Sequence, residues 1–228
     1  PIHSAHRANV YCEGNAWQYV WLTPHDFEGL EGCFGGREEL LTKLDSLFIV
    51  SSDLGEDASP DISGLIGQYA HGNEPSHHIL YFYTMAGQPW KTADKVRQVL
   101  TELYHAEPDG LSGNEDVGQM SAWYLFTAMG FYPVCPGTDQ YVLGAPYLPY
   151  MKLSLANGQS LEIKAPGVSD KNRYVKAVLL NGKPYTKTYI THEDIVGGGT
   201  LEFVMSAKPN KKRGLASSDK PYSLTNGE

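Results

Sequence analysis

The spacing of apolar residues changes period once along this chain, near Tyr132, and that change limits the fold more than any other feature of the sequence. From Tyr11 to about Phe131, apolar positions recur at intervals of three and four, the repeat of a helix that buries one stripe. In "QPWKTADKVRQVLTELY", Trp90, Ala93, Val96, Leu100, Leu103 and Tyr104 share a stripe, while Lys91, Asp94, Arg97 and Glu102 fall largely off it. "GREELLTKLDSLFIV" repeats the pattern with Leu40, Leu41, Leu44, Leu47 and Phe48. "PSHHILYFYTMAG" and "GQMSAWYLFTAMG" are apolar almost all round, which predicts inner helices. Alternation of exposed and buried helices is what a double-layered helical barrel demands, and a plain bundle would look similar.

Beyond Tyr132 the period is two, in "MKLSLANGQSLEIKAP", "VKAVLLNGKPY" and "GTLEFVMSA". Asn157-Gly158 and Asn181-Gly182 separate paired runs, and Asn-Gly accepts the positive φ angles of tight hairpin turns. The fold class is therefore α+β: a helical part over 1–137, an antiparallel β module over 138–207, and a polar tail over 208–228 expected to be loose.

The formal charge of −8 and the lack of any Lys/Arg run argue against a nucleic-acid footprint or an anionic membrane surface. No apolar run approaches the roughly 18 to 20 residues of a membrane span. The 15 tyrosines and 4 tryptophans suit polar, neutral ligands as well as cores. Cys12, Cys33 and Cys135 are odd in number and lack CxxC spacing, so they indicate neither a zinc site nor a fully paired disulfide framework. The start lacks an initiator Met and any leader pattern, and a piece of a longer protein is expected.

Three loops concentrate acids and amides just before helix starts. "YCEGNAWQYVW" carries Glu13 ahead of Trp17, Gln18 and Trp21. "HGNEPSHHI" carries Asn73, Glu74, His77 and His78, and "DGLSGNEDVGQMSAW" carries Asp109, Asn114, Glu115, Asp116 and Gln119. In a double-layered barrel the inner-helix starts share one end, so the loops are expected to converge. Glycosidic hydrolysis needs one carboxylic acid to protonate the leaving oxygen and one carboxylate to act as base or nucleophile. Glu13 and Asp116 are the candidates, with Trp17, Trp21, His77 and His78 available to hold a sugar. The plainer readings stand beside these: Glu13 and Asp116 as charges favoured at helix N-termini, Trp17 and Trp21 as packing four residues apart. The adjacent pair His77-His78 does not suit zinc on a helix face. The oxygen donors Asn73, Glu74, Asn114, Glu115 and Asp116 suit a hard cation, without the spacing of a twelve-residue calcium loop.

"EGNAWQY", "HGNEPSHHI" and "GNEDVGQMSAWY", followed by "YVLGAP", resemble glycoside hydrolase family 92, the calcium-dependent exo-acting α-mannosidases, over Tyr11 to Ser206. The resemblance implies a six-hairpin (α/α)6 barrel preceded by an N-terminal β-sandwich, and cleavage with inversion. It implies Glu13 as general acid and Asp116 as general base, with Asn114 standing where many members carry an Asp that assists the base. It implies Ca2+ beneath the terminal mannose, with Asn73 and Glu74 in its neighbourhood. Trp17, Gln18, Glu74, His77, His78 and Glu115 are expected near the sugar. Mannose-containing glycans, with α-1,2 the expected linkage, and the missing N-terminal part of the same protein are the implied partners. A periplasmic, cell-surface or secreted location follows in the same way. Two other readings stay open: a carbohydrate-binding or structural fragment without turnover, and another (α/α)-barrel glycosidase or glycan phosphorylase.

Overall fold

The structure is a computed structural model that describes residues 11–56 and 58–226. Its first half is helical. Helix α1 (Ala16–Tyr19) is a single turn started by a reciprocal cap: the Asn15 side chain accepts from the Trp17 N–H and the Gln18 side chain accepts from the Asn15 N–H. Helix α2 (Phe27–Cys33) starts on Asp26. Helix α3 (Arg37–Leu47) has Glu38 and Glu39 in its first turn, where the helix dipole favours negative charge. It buries Leu40, Leu41, Leu44 and Leu47, the stripe its sequence predicts.

A short hairpin follows, β1 (Leu65–Ile66) with β2 (Tyr69–Ala70), turned on Gly67 at φ +61. A Cβ at Gly67 would lie 2.4 Å from the Leu47 carbonyl oxygen, so glycine is required both by conformation and by space. The segment expected to be one inner helix is instead two 3₁₀ turns, Glu74–Ser76 and Ile79–Tyr81, leading into a short α4 (Phe82–Met85). Burial there is as complete as the composition demands, since Ile79 to Tyr83 are all at 0% exposure. Pro75 fits an opening turn, where no intrahelical N–H is needed.

Helix α5 (Pro89–Glu102) starts on Pro89 and buries Thr92, Ala93, Val96, Val99 and Leu100. Trp90, Leu103 and Tyr104 of the expected stripe are only partly buried. Thr92 is admitted to the core because its hydroxyl donates to the Leu80 carbonyl at 2.9 Å. Helix α6 (Gln119–Met129) ends at Gly130, φ +95, a left-handed cap that also lets Phe203 approach.

The β module begins at β3 (Phe131–Tyr132), ahead of the border expected at 138. β3, β4 (Gln140–Leu143) and β9 (Tyr189–Thr191) form a three-stranded antiparallel sheet. β5 (Tyr150–Ser154), β6 (Ser160–Lys164), β7 (Tyr174–Leu180), β8 (Lys183–Tyr185) and β10 (Gly199–Ser206) form a five-stranded sheet in the order β5-β6-β10-β7-β8. Both Asn-Gly pairs sit in hairpin turns, β5–β6 and β7–β8. At the second, Asn181 (φ +51) and Gly182 (φ +77) are both left-handed, the conformation a tight hairpin selects. The expected all-antiparallel module is corrected in one place, because β10 pairs with β6 in parallel. A short helix α7 (His192–Val196), opened by a Thr191/Asp194 capping box, lies between β9 and β10.

Two apolar cores result, one among the helices around Trp21, Leu44, Tyr69, Phe82 and Trp123. The other lies in the β module around Phe131, Leu161, Ile163, Leu201 and Phe203. The tail expected to be loose is docked. Asp26 accepts from the Ser223 hydroxyl (2.7 Å) and from the Thr225 N–H (3.0 Å) and hydroxyl (2.6 Å), and the Thr188 N–H donates to the Asp219 carbonyl (2.7 Å). These bonds hold the Asp26 carboxyl well below the usual carboxylate range. No helix among the described residues is long and apolar enough to cross a membrane.

Candidate active site

The three loops named from sequence converge. A cleft of about 300 Å3 is lined by Glu13, Pro60, Asp61, Gly72, Asn73, Gly113, Asn114 and Asp116. It contains three carboxylates, two amides and no Lys or Arg, so its field attracts cations and disfavours anionic ligands. A larger groove of about 590 Å3 lies elsewhere, with mainly aromatic and aliphatic walls and no carboxylate pair. The chemistry therefore points to the smaller cleft.

Close backbone approach brings the loops together. A Cβ on Gly72 would fall 1.9 Å from Ser63 Oγ and 2.3 Å from the Ser112 carbonyl oxygen, so only glycine lets the second and third loops touch. The first loop is tied in by amides. Asn73 Nδ2 donates to the Glu13 carbonyl at 2.7 Å, and Asn15 Nδ2 donates to Gln68 Oε1 at 3.1 Å. Gln68, itself buried, donates to the Ser51 carbonyl at 2.7 Å.

Both candidate acids sit in left-handed backbone, Glu13 at φ +56 and Asp116 at φ +53, and Val117 follows at φ +57. Such angles are uncommon for residues with a Cβ and persist only where the surroundings impose them. Glu13 and Asp116 are both exposed at the cleft. Glu74 flanks Asp116 and keeps contact with solvent. Its carboxyl is raised above the usual range, first by desolvation, then by a hydrogen bond to Asp116 and by the negative charges of Asp116 and Glu13.

The neighbouring acid has a different role. Glu115 accepts from the Gly118 N–H, and its other oxygen accepts from the Ser121 N–H at 3.2 Å, so it caps α6. The hydrogen bonds from Ser121 and Gly118 lower its pKa. Of the adjacent acids before α6, one holds the helix and the next lines the cleft.

Several residues expected near a sugar are engaged elsewhere. Gln18 is buried, accepts from the Asn15 N–H at 2.8 Å and donates to the Gln68 carbonyl at 2.6 Å, which occupies both ends of its amide. Trp17 packs beside the helical core with Lys43 Nζ 3.2 Å above its ring, and it is not among the residues that line the cleft. Trp21 is fully buried and stacked on Phe34. His78 donates from Nε2 to the Trp21 carbonyl at 2.6 Å, and burial lowers its pKa to about 4.

His77 is buried beneath the cleft. Its Nδ1 lies 2.9 Å from Gln119 Nε2, which is a donor, so Nε2 carries the ring proton and donates to the His71 carbonyl at 2.9 Å. Burial lowers its pKa to about 4, and the ring is neutral at pH 7. His71, which sequence reasoning passed over, has tyrosine hydroxyls on both nitrogens, Tyr69 at 2.8 Å and Tyr104 at 2.7 Å, and packs 4.2 Å from the Trp123 ring. These imidazoles form the floor under the second loop.

Asp61 was also missed. Its carboxylate accepts from the Ser59 hydroxyl at 2.8 Å, and the residue lines the cleft. The chain returns from Asp61 to Asn73 through the β1–β2 hairpin, extended by the His71 N–H to Gly64 carbonyl (3.0 Å) and Gly72 N–H to Ser63 carbonyl (3.0 Å) bonds. Gly67 at the turn of "LIGQYA" was the signal available in the sequence. Among the described residues, no group of three or more His, Cys, Asp or Glu side chains could by itself hold a metal ion. The oxygens of Asn73 and Glu74 fit a hard cation only as part of a shell completed by water or ligand hydroxyls.

The cleft gathers carboxylates from three separate segments, Glu13, Asp61 and Asp116, on tightly packed loops, and a pair of carboxyl groups in one cleft is what glycosidic hydrolysis requires. The profile of the glycosyl hydrolase family 92 catalytic domain matches residues 1–207, and the chain belongs to that family. A family 92 α-mannosidase from Bacteroides thetaiotaomicron, solved in complex with mannoimidazole, is 43% identical, with a TM-score of 0.89 over 93% of this chain and 28% of its own. A family 92 inverting mannosidase from the same organism is 39% identical, with a TM-score of 0.82 over 94% of this chain and 30% of its own. A secreted glycosidase of Arthroderma benhamiae is 28% identical over 218 residues, 94% of this chain. The chain spans about a quarter of the length of that fungal relative, 26%.

Proposed function

We propose that this chain is the part of an exo-acting α-mannosidase that carries its acid and base, and that the whole protein removes terminal α-linked mannose, with α-1,2 linkages preferred, by a single inverting displacement. The observation that carries the reading is that Glu13 and Asp116, far apart in sequence, line one cleft and are both held at positive φ. Glu13 protonates the glycosidic oxygen as the bond to the anomeric carbon breaks. Asp116 takes a proton from a water that attacks the opposite face, so an α-mannoside yields β-mannose. Glu74 lies against Asp116 and helps to orient its carboxylate. Asn114, beside Asp116 in the cleft wall, offers a neutral amide to the same water or to a hydroxyl.

Calcium would be held by Asn73 and Glu74 with sugar hydroxyls and water completing its shell. When bound it supplies charge and a fixed direction for those hydroxyls, favouring a flattened ring. His77 and Gln119 hold the second loop against α6 and stay neutral. The similarity to two mannosidases from Bacteroides thetaiotaomicron supports the substrate class. The fungal relative, a secreted glycosidase, supports a location outside the cytoplasm. Polypeptide beyond these 228 residues is proposed as a necessary partner, as are mannose-containing glycans as substrate.

The test is the stereochemistry of mannose release by the full-length protein, followed by proton NMR from the first turnover. β-Mannose as the first product supports the assignment, and α-mannose would recast Asp116 as a nucleophile. Dependence on added phosphate would instead indicate a phosphorylase.

A further inference from the structure

The chain is acidic overall, yet residues 171–220 hold 10 of its 18 Lys and Arg residues and only 4 of its 26 Asp and Glu residues. The fold gathers part of that charge into one place. A pocket of about 250 Å3, sharing no residue with the candidate active site, is walled by β7, β8 and the segment 210–219. Lys176, Lys212 and Arg213 line it, together with Tyr185, Thr186 and Asp219. Three cations against one carboxylate make its field attract anions, the reverse of the cleft that holds Glu13 and Asp116.

Local structure fixes Arg213 in that wall. Gly214 is left-handed at φ +73, and a Cβ on it would lie 2.2 Å from Thr188 Cγ2, so only glycine lets the chain turn in behind Arg213. Asn210 Nδ2 donates to the Lys176 carbonyl at 2.8 Å, and the Thr188 N–H and hydroxyl donate to the Asp219 carbonyl at 2.7 and 2.8 Å, which fastens the segment on either side. Arg213 is only 8% exposed. Its Nη2 donates to the Lys187 carbonyl at 2.8 Å, whereas Nε is closed off from solvent and has no partner among the described residues. Burial lowers the guanidinium pKa to about 10, against the opposing charge of Asp219. Asp219 itself accepts the Thr186 hydroxyl on Oδ1 at 2.8 Å. A buried guanidinium so poorly supplied with acceptors is costly unless an anion completes it.

We propose that this pocket binds a small sugar phosphate, its phosphate set among Lys176, Lys212 and Arg213. Charge selects the anion: the wall has two positive charges in surplus, which matches the roughly −2 of a phosphate monoester better than the single charge of a carboxylate. Asp219 selects the carrier. A bare ion would leave that carboxylate facing a like charge, whereas a ligand with hydroxyls beside its phosphate donates to Asp219 Oδ2 and lays its ring against Tyr185. The volume leaves room beside the phosphate for one sugar ring. The site is independent of the function proposed above, because none of its residues takes part in that chemistry.

The test is isothermal titration calorimetry of the full-length polypeptide at low ionic strength, with glucose 6-phosphate, inorganic phosphate and glucose as probes. Glucose 6-phosphate should bind one to one, inorganic phosphate several times more weakly, and glucose not at all. Lys176→Gln and Lys212→Gln alter exposed side chains and leave the fold intact. Each should weaken binding about threefold and the pair roughly tenfold. Arg213→Met should weaken it at least about tenfold, and the two lysine variants decide the matter if that buried change prevents folding. No binding of glucose 6-phosphate would show that another part of the polypeptide meets Arg213, and would overturn the proposal. Binding that survives the double lysine change would place the ligand elsewhere and overturn it too. Equal affinity for inorganic phosphate would mark an adventitious ion only, with the same consequence.

Discussion

Asn73 donates from its side-chain amide to the main-chain carbonyl of Glu13 at 2.7 Å, so the second loop holds the backbone of the residue that bears the candidate acid. Asn73→Asp separates this role from ligation. The substitution keeps an oxygen for a cation but replaces the donor with a charge facing a carbonyl. A lost buried hydrogen bond costs about 1 to 3 kcal/mol, roughly 5- to 150-fold if all of it falls on the transition state. We expect kcat/KM of the full-length enzyme to fall within that span while calcium affinity is maintained. Retained activity would show that the bond to Glu13 is dispensable.

Acid and base fail differently. Glu13→Gln should cripple hydrolysis of mannobiose yet spare much of the activity on a dinitrophenyl mannoside, whose leaving group needs no proton. Asp116→Asn should depress both substrates, by roughly the 10² to 10⁴ of a lost general base. Equal losses for Glu13→Gln on the two substrates would remove its acid role.

Calcium should be required, because the cleft offers oxygens from Asn73, Asn114 and three carboxylates without a positive side chain to orient hydroxyls. Chelation is expected to abolish activity on α-mannosides, and calcium should restore it. Undiminished turnover after exhaustive chelation would exclude the metal.

His77 and His78 make stability depend on pH. Their folded pKa values are near 4 against an ordinary 6.5, so the unfolded chain binds more protons between those values. The stability they contribute is complete above pH 6.5 and is lost as pH falls toward 4, about 3 kcal/mol per group at the limit. Urea midpoints measured from pH 7 to 4.5 should fall steeply, and His78→Asn, remote from the cleft, should flatten the slope. A midpoint flat over that range would mean that the rings are not held neutral.

Much of this was legible in the sequence where local rules decide. Leu40, Leu44 and Leu47 set α3, Pro89 opened α5, Gly130 closed α6, and both Asn-Gly pairs turned hairpins. What escaped depends on partners distant in the chain. The parallel register of Leu201 with Ile163 has no turn to announce it. Gln18 and Glu115 were placed near the sugar by the family resemblance, and the structure adds that each hydrogen-bonds backbone groups whose positions only the fold determines. Asp61 was invisible because a hairpin, not a motif, carries it to the cleft.

The tail gives a separate expectation. Residues 217–226 are rich in Ser, Thr, Asp and Asn and read as unstructured, yet Asp26 gathers Ser223 and Thr225. Asp26→Ala should release the segment, and limited proteolysis within 208–226 should become several times faster while the mannoside site is unaffected. An unchanged cleavage pattern would show that the segment is fastened elsewhere.

Val117 is fully exposed, β-branched and at φ +57, directly after the candidate base. A left-handed residue with a Cβ costs about 1 to 2 kcal/mol, and a β-branched one is the least tolerant of that conformation. Directed evolution for heat resistance therefore has an easy gain here, since Val117→Gly or Val117→Asn would relax the backbone without touching the core. The same change would let Asp116 wander from its aim. Selection for heat resistance alone should favour position 117 and select against turnover, and selection that also demands turnover should leave the valine in place.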